Sequence, residues 1–309
     1  MVMIKAFLCD EYALSRCVSD GVFAFFLDHI KKHQLAFVLL TNPLDSLTII
    51  QNQLQATPQL ADTNQYTFIT HHENSHFNRH EHPFFAEILG RVGIEPNEAF
   101  VLSCDIADIS TARCVGINGF QIQENLVYRD MSYITGGWSD FIQFLAQDDW
   151  ERHYPPIPLA SHMIIPQLRG NMGALRGLLG HIKPEFWHQH PDPQEWSPYQ
   201  IVCHLLESED SVQRARLEKI LAQDNPFLSQ NLVAPTPKCD LDETSLVDLF
   251  YITRQKTIDW LDTLPMSVWE RVARHSIFGP TTFLEMAHFT AQHDRLHLNQ
   301  LCQTLQKCR

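Results

Sequence analysis

The residues best suited to chemistry lie near the end of the chain, in HFTAQHDRLHLNQL (288–301). His293 and His297 stand four residues apart within a stretch whose apolar positions repeat as in a helix. Imidazoles at i and i+4 project from one helical face and can reach the same ion. Upstream, QIVCHLLESE puts His204 on a second helix. The apolar stripes run Ile201, His204, Leu205, Ser208, Val212, Ala215 and Met286, Thr290, His293, His297, Leu301, Leu305, so the histidines fall on or beside core-facing positions. A lone histidine there reads most simply as a hydrogen-bonded core residue. Three are harder to place, because each buried imidazole needs partners for two nitrogens, and one shared cation satisfies a nitrogen on each. Glu207, Ser208 and Asp294 are candidates to fix the tautomers. Three neutral imidazoles leave a dication fully charged, which favours lowering the pKa of a water or a thiol. That chemistry fits hydrolysis or thiol transfer.

Two neighbouring signals carry less. The zinc-protease pattern H-E-x-x-H shares the His293–His297 spacing, but its Glu position holds Asp294, and no His, Asp or Glu follows His297. Cys203 points about 100° away from His204 on the helix, which suits packing better than ligation.

Four helices are needed to place these groups. IIPQLRGNMGALRGLL carries a stripe of Ile165, Leu168, Met172, Leu175 and Leu179. Ser197-Pro198-Tyr199-Gln200 supplies an N-cap, a first-turn proline and a capping-box partner for a helix reaching about Leu221. A third helix spans about Ser245 to Leu264, and Thr282-Phe283-Leu284-Glu285 opens the last with another capping box. With no strand signal among them, they predict an antiparallel four-helix bundle.

The first half differs. IKAFLC (4–9), AFVLLT (36–41), YTFIT (66–70), AFVLSC (99–104) and FQIQ (120–123) read as strands, and GVFAFFLDHIKK, SLTIIQNQLQ and FFAEILGRVG as helices between them. Nearly all-apolar strands alternating with helices predict a doubly wound parallel sheet. Ligands bind beyond the carboxyl ends of such strands, which directs attention to Asp10, Thr41 and Cys104–Asp108. His71, His72, His76, His80 and His82 crowd the following segment, and three of them would share a face if it were helical. Without apolar periodicity it reads as a solvated loop. Pro155, Pro156 and Pro158 mark a linker.

Bulk composition narrows the classes. The net charge of −13 is concentrated in residues 1–150, where 8 basic face 18 acidic residues; 151–309 carry 15 against 18. A chain this acidic, without a basic cluster, repels phosphate backbones, so a nucleic-acid partner is not expected. No segment approaches a membrane span, and MVMIKAFLCDEY meets an acid too early for a signal-peptide core. Eight scattered cysteines without C-x-x-C spacing argue against a zinc ribbon or a disulfide framework and for a reducing cytoplasm.

Over about residues 3–147, FLCDEYAL, LLTN and HPFFAEILGRVGIEPNEAFVLSCDIADISTARCVGINGF resemble the haloacid dehalogenase (HAD) superfamily. The resemblance implies an Asp nucleophile at Asp10, a phosphate-binding hydroxyl at Thr41 and an acid for Mg²⁺ at Asp108. Tyr12 stands at the family's general-acid position, His82 at its lysine and Cys104 at the first acid of its metal pair, with Asp105 a substitute if the register slips by one. Losing the lysine and an acid removes charge that phosphoryl transfer needs, which implies an inactive domain. Over about 161–307, EWSPYQIVCHLLESED, the Gly-Pro-Thr-Thr-Phe lead into the last helix and HFTAQHDRLHLNQL resemble the DinB/YfiT-like four-helix-bundle family. That resemblance implies a divalent metal, zinc or nickel, on His204, His293 and His297, hydrolase or thiol S-transferase activity on a small-molecule substrate, and a homodimer.

The expected architecture is therefore multidomain: a HAD-like doubly wound parallel sheet (1–148), a linker (149–160) and a DinB-like antiparallel four-helix bundle (161–309). The expected function is metal-dependent hydrolysis or thiol S-transfer at the three histidines. The alternatives are a metal-binding or sensing module without catalysis, and a phosphatase acting through Asp10 with Mg²⁺.

Overall fold

A computed structural model describes residues 3–17, 21–123, 128–129, 134–147, 150–229, 237 and 239–308. The chain divides into two compact units, Met1–Leu159 and Ala160–Arg309. Residues 148 and 149, where the sequence places the domain boundary, lie outside the described residues. The segment read as a linker is in part core: Trp150 is buried among the aromatics of the first unit, with Tyr154 packed against them.

In the first unit β1 (Ala6–Asp10) leads into α1 (Glu11–Cys17) and α2 (Val22–Lys32). Then come β2 (Ala36–Leu40), α3 (Leu47–Gln55), β3 (Phe68–Ile69) and α4 (His82–Val92). β4 (Ala99–Ser103), α5 (Ile106–Arg113), β5 (Asn118–Ile122), β6 (Tyr128–Arg129), β7 (Ile134–Gly136) and α6 (Trp138–Leu145) follow. The sheet order is β3-β2-β1-β4-β5-β7-β6, with only β6 antiparallel to its neighbour among the described pairings. Strand period decides the layers. Phe7 and Cys9 of β1, Phe37 and Leu39 of β2, and Phe100 and Leu102 of β4 pack on one face with Phe26, Ile50 and Phe141 from the helices there. The intervening Ala6, Leu8, Val38, Leu40, Ala99 and Val101 pack on the other with Phe85, Leu89 and Ile109. Helices on both faces make the doubly wound sheet that the apolar strands predicted. Phe7 meets Phe26, Phe100 and Phe141 edge-on at 5.3, 5.9 and 6.1 Å, pairs worth roughly 0.5–1.5 kcal/mol each beyond their burial. The order reverses at β1, so the crevice for ligands opens at the carboxyl ends of β1 and β4.

The second unit is built on α7 (Ile164–Leu179), α8 (Pro198–Ser208), α9 (Ala215–Ala222), α10 (Glu243–Asp262) and α11 (Phe283–Lys307). α8 and α9 are joined through a π-helical turn, Glu209–Arg214, and count as one long arm of a four-helix bundle. α7 and α8 each pack against α10 and α11. Their shared core includes Leu175, Ile201, Leu205, Leu246, Phe250, Leu298 and Leu301.

Two features depart from the sequence reading. A three-stranded sheet is present, with β8 (Phe227–Leu228), β9 (Val272–His275) and β10 (Gly279–Thr282) in the order β10-β9-β8. Its strands are two to four residues long, too short for a period-2 signal, and Gly279 at φ 74° takes the left-handed conformation their hairpin needs. The second feature is the π turn, which breaks the straight helix expected through Leu221. Among the described residues, no helix is long and apolar enough to cross a membrane.

Candidate metal centre

Capping boxes set the register of both histidine-bearing helices. Ser197 accepts from the backbone N–H of Gln200 while Gln200 Oε1 accepts from that of Ser197, starting α8. Thr282 and Glu285 do the same for α11. Such caps contribute about 1 kcal/mol each and fix which side chains face inward. They bring together His204, His293 and His297, whose candidate ligand atoms all lie within 4.8 Å of one another. His204 Nε2 is 3.1 Å from His293 Nε2. His204 and His297 are buried and His293 is partly open, which gives the cluster one side toward solvent. Trp196 walls it, its ring 6.0 Å from that of His297 at 14° and 5.0 Å from that of His204.

All three imidazoles are held neutral. Burial, then His297, lowers the pKa of His204 to about 4. Burial, then His297, His204 and two arginines, lowers His293 to about 2. Burial lowers His297 against a Gln300 hydrogen bond that works the other way. A neutral nitrogen donor set is what a borderline divalent ion requires. His297 Nδ1 donates to Gln300 Oε1 at 2.9 Å, which fixes the tautomer with the Nε2 lone pair facing the cluster. Among the described residues, the buried Nδ1 atoms of His204 and His293 have no hydrogen-bond partner.

Of the three residues expected to orient the ligands, Ser208 lies 3.3 Å from His204, on Nε2 and not on the far nitrogen. Asp294 turns away and accepts from Arg254 Nη2 at 2.9 Å, and no described hydrogen bond links Glu207 to the triad. The same Arg254 nitrogen lies 2.8 Å from Glu209 Oε2. Arg254, Glu209 and Asp294 are 1, 0 and 4% exposed. Glu209 follows buried Leu205 by four residues, its N–H bonded to the Leu205 carbonyl, so it stays beside the inward stripe as the π turn begins. Arg254 on α10, which supplies no histidine of the triad, thereby ties the end of α8 to α11, the two helices that do. Burial raises Asp294 to about 6 even with Arg254 beside it.

The first unit gathers a second set of groups at the β1–β4 crevice. Asp10 and Asp108 are 2 and 0% exposed. Asp10 Oδ2 accepts from the backbone N–H groups of Ala13 and Cys104 at 3.2 and 3.4 Å. Arg79, from the histidine-rich segment, bonds both acids: Nη2 is 2.6 Å from Asp10 Oδ1 and 2.5 Å from Asp108 Oδ2, and Nε is 2.8 Å from Asp108 Oδ1. Burial disfavours its charge, but the two carboxylates more than offset this and raise its pKa. These residues do not fit Mg²⁺, because a guanidinium stands between the acids that would ligate it. Thr41 is buried, and its hydroxyl donates to the Thr70 carbonyl, away from the crevice. Tyr12 and His82 are exposed. Cys104 lines the 740 Å³ cleft with Glu11, Asn42, Asn78, His80 and Asp105. His80, Asp105 and Asp108 also have ligand atoms within 4.8 Å, but Arg79 and Ser103 already hold Asp108.

The loop reading of the histidine-rich segment missed Arg79, as well as His76, which bonds buried Glu87 through Nδ1 at 2.6 Å and through its backbone N–H at 3.0 Å. Arg79 meets residues 69 and 29 positions away, and spacing gives no hint of such pairs. Gln300, three residues after His297, was within reach of the i, i+3 rule.

A comparison with curated proteins finds no match. Among solved structures, YfiT from Bacillus subtilis, described as a probable metal-dependent hydrolase with an unusual four-helix bundle topology, is 14% identical; the match covers 47% of this chain and 86% of that one at TM-score 0.41. A HAD phosphatase from Thermococcus onnurineus is 15% identical over 39% of this chain, which spans about half that protein (54%), at TM-score 0.32. A HAD-superfamily hydrolase, subfamily IA, from Geobacter sulfurreducens is 11% identical over 45% of this chain and 98% of its own, at TM-score 0.30. By family, residues 167–301, most of the second unit, match the DinB superfamily.

Proposed function

We propose that the second unit is a metal-dependent hydrolase whose divalent ion is held by His204, His293 and His297. The observation that carries this reading is the convergence of three neutral imidazoles, with ligand atoms within 4.8 Å of one another and His293 only partly buried. An ion there would supply Lewis acidity, activating a water for hydrolysis or a thiol for S-transfer. The chain's own groups do the rest. Gln300 holds His297 in the ligating tautomer, Trp196 keeps water from one side, and Arg254 fixes the two ligand-bearing helices against each other. Three imidazole nitrogens suit zinc or nickel better than magnesium, which takes oxygen ligands, and being neutral they leave the ion its full positive charge. The match to the DinB superfamily over 167–301 supports the reading. The first unit contributes no catalysis here, since Asp10 is tied to Arg79.

The test is to strip the protein with a chelator, restore zinc or nickel, and assay panels of esters and amides, and of electrophiles with a small thiol. Turnover that returns with metal and is absent from His293→Ala is expected. Turnover that survives in His293→Ala, or that fails in Asp10→Asn instead, would defeat the proposal. Preference for the thiol panel would make the activity S-transfer.

A further inference from the structure

In the first unit, the two acids best placed to hold a cation already share one. Asp10 ends β1 and Asp108 sits in the first turn of α5, so the parallel sheet delivers both to the crevice. A single nitrogen, Arg79 Nη2, contacts an oxygen of each, where an ion bridging them would have to sit. The remaining positions are also used. Arg79 Nε takes Asp108 Oδ1, Ser103 donates to Asp108 Oδ2, and two backbone N–H groups reach Asp10 Oδ2. A magnesium ion needs a near-octahedral shell of oxygens, and to reach these it would have to break three charge-assisted hydrogen bonds and strand a guanidinium that is only 14% exposed.

We propose that Arg79 is a built-in cation, filling the seat between Asp10 and Asp108 so that this unit takes no divalent metal and Asp10 serves as a structural anion. The same bonds pin the histidine-rich segment across the strand ends. Removing Arg79 leaves two like charges buried side by side, an arrangement that a cation or a proton must relieve.

The test is thermal unfolding of the full chain with and without millimolar Mg²⁺, ionic strength being matched with NaCl. Magnesium suits the purpose because three imidazoles hold it poorly, which keeps the second unit out of the result. The wild-type melt should not move. Arg79→Gln and Arg79→Met should melt lower without Mg²⁺ and regain a few degrees with it, since an ion that binds only the native state stabilises it. Adding Asp10→Asn to either should abolish the response. The readout serves even where the variants are largely unfolded without metal. A wild-type melt raised by Mg²⁺ and made insensitive by Asp10→Asn would overturn the proposal, as would Arg79 variants that gain no response.

Discussion

Replacing Arg254 with Met should destabilise the bundle by about 3–5 kcal/mol at pH 7, the range for stripping one partner from a buried ion pair. Part of that loss should depend on pH. In the wild type, Asp294 titrates near pH 6 in the folded state, against about 3.9 unfolded. An acid whose folded pKa is raised favours folding at low pH, and that stability is lost as pH rises through the folded value. In the wild type the loss is complete a little above pH 6. Without Arg254, which holds the Asp294 pKa down, the folded pKa moves higher and the loss continues at up to about 1.4 kcal/mol per pH unit. The wild type itself still loses about 0.4 kcal/mol above pH 6, so the difference between the two proteins should widen by up to about 2.3 kcal/mol between pH 6 and pH 8. Urea unfolding followed by far-UV circular dichroism at both pH values measures it. A penalty below about 1 kcal/mol, or one that does not change with pH, would refute the claim that Arg254 neutralises buried acids.

Other outcomes follow from the same geometry. Burial and the charge of Asp10 raise Glu11 to about 7, so its protonated form favours folding below that pH; Glu11→Gln should stabilise the first unit by about 1–2 kcal/mol at pH 8, discounted for partial exposure, and by little at pH 5, as melts at the two pH values would show. Gln300→Leu should weaken metal binding about 10–100-fold with helicity intact, measured by competition against a chromophoric chelator. Thr41→Val, whose hydroxyl already serves Thr70, should leave any metal-dependent turnover unchanged.

Much of this was legible in the residues, and the parts that were not have a common cause. Short-range rules worked: the i, i+4 pair at His293 and His297, the capping boxes at Ser197 and Thr282, and the apolar strands all found their places. Charges that meet only through the fold were hidden. Arg79 and Arg254 each join acids far away in sequence, and Asp294, beside a candidate ligand, looked like its supporter but serves Arg254. The π turn shifts the inward face beyond it, so Ala215, expected in the core stripe, is exposed and Leu217 is buried instead. In the first unit, buried strands fix the layers and a loop arginine decides the chemistry of the crevice, and only the strands leave a periodic signal.

The most direct measurement is the metal content of purified protein. Wild type, a variant lacking the histidines of 71–82, and the single variants His204→Ala, His293→Ala and His297→Ala should be dialysed against the same zinc or nickel buffer. One tightly held ion is expected in the first two and none in the triad variants. Equal metal in all five, or metal lost only with the loop histidines, would contradict the account.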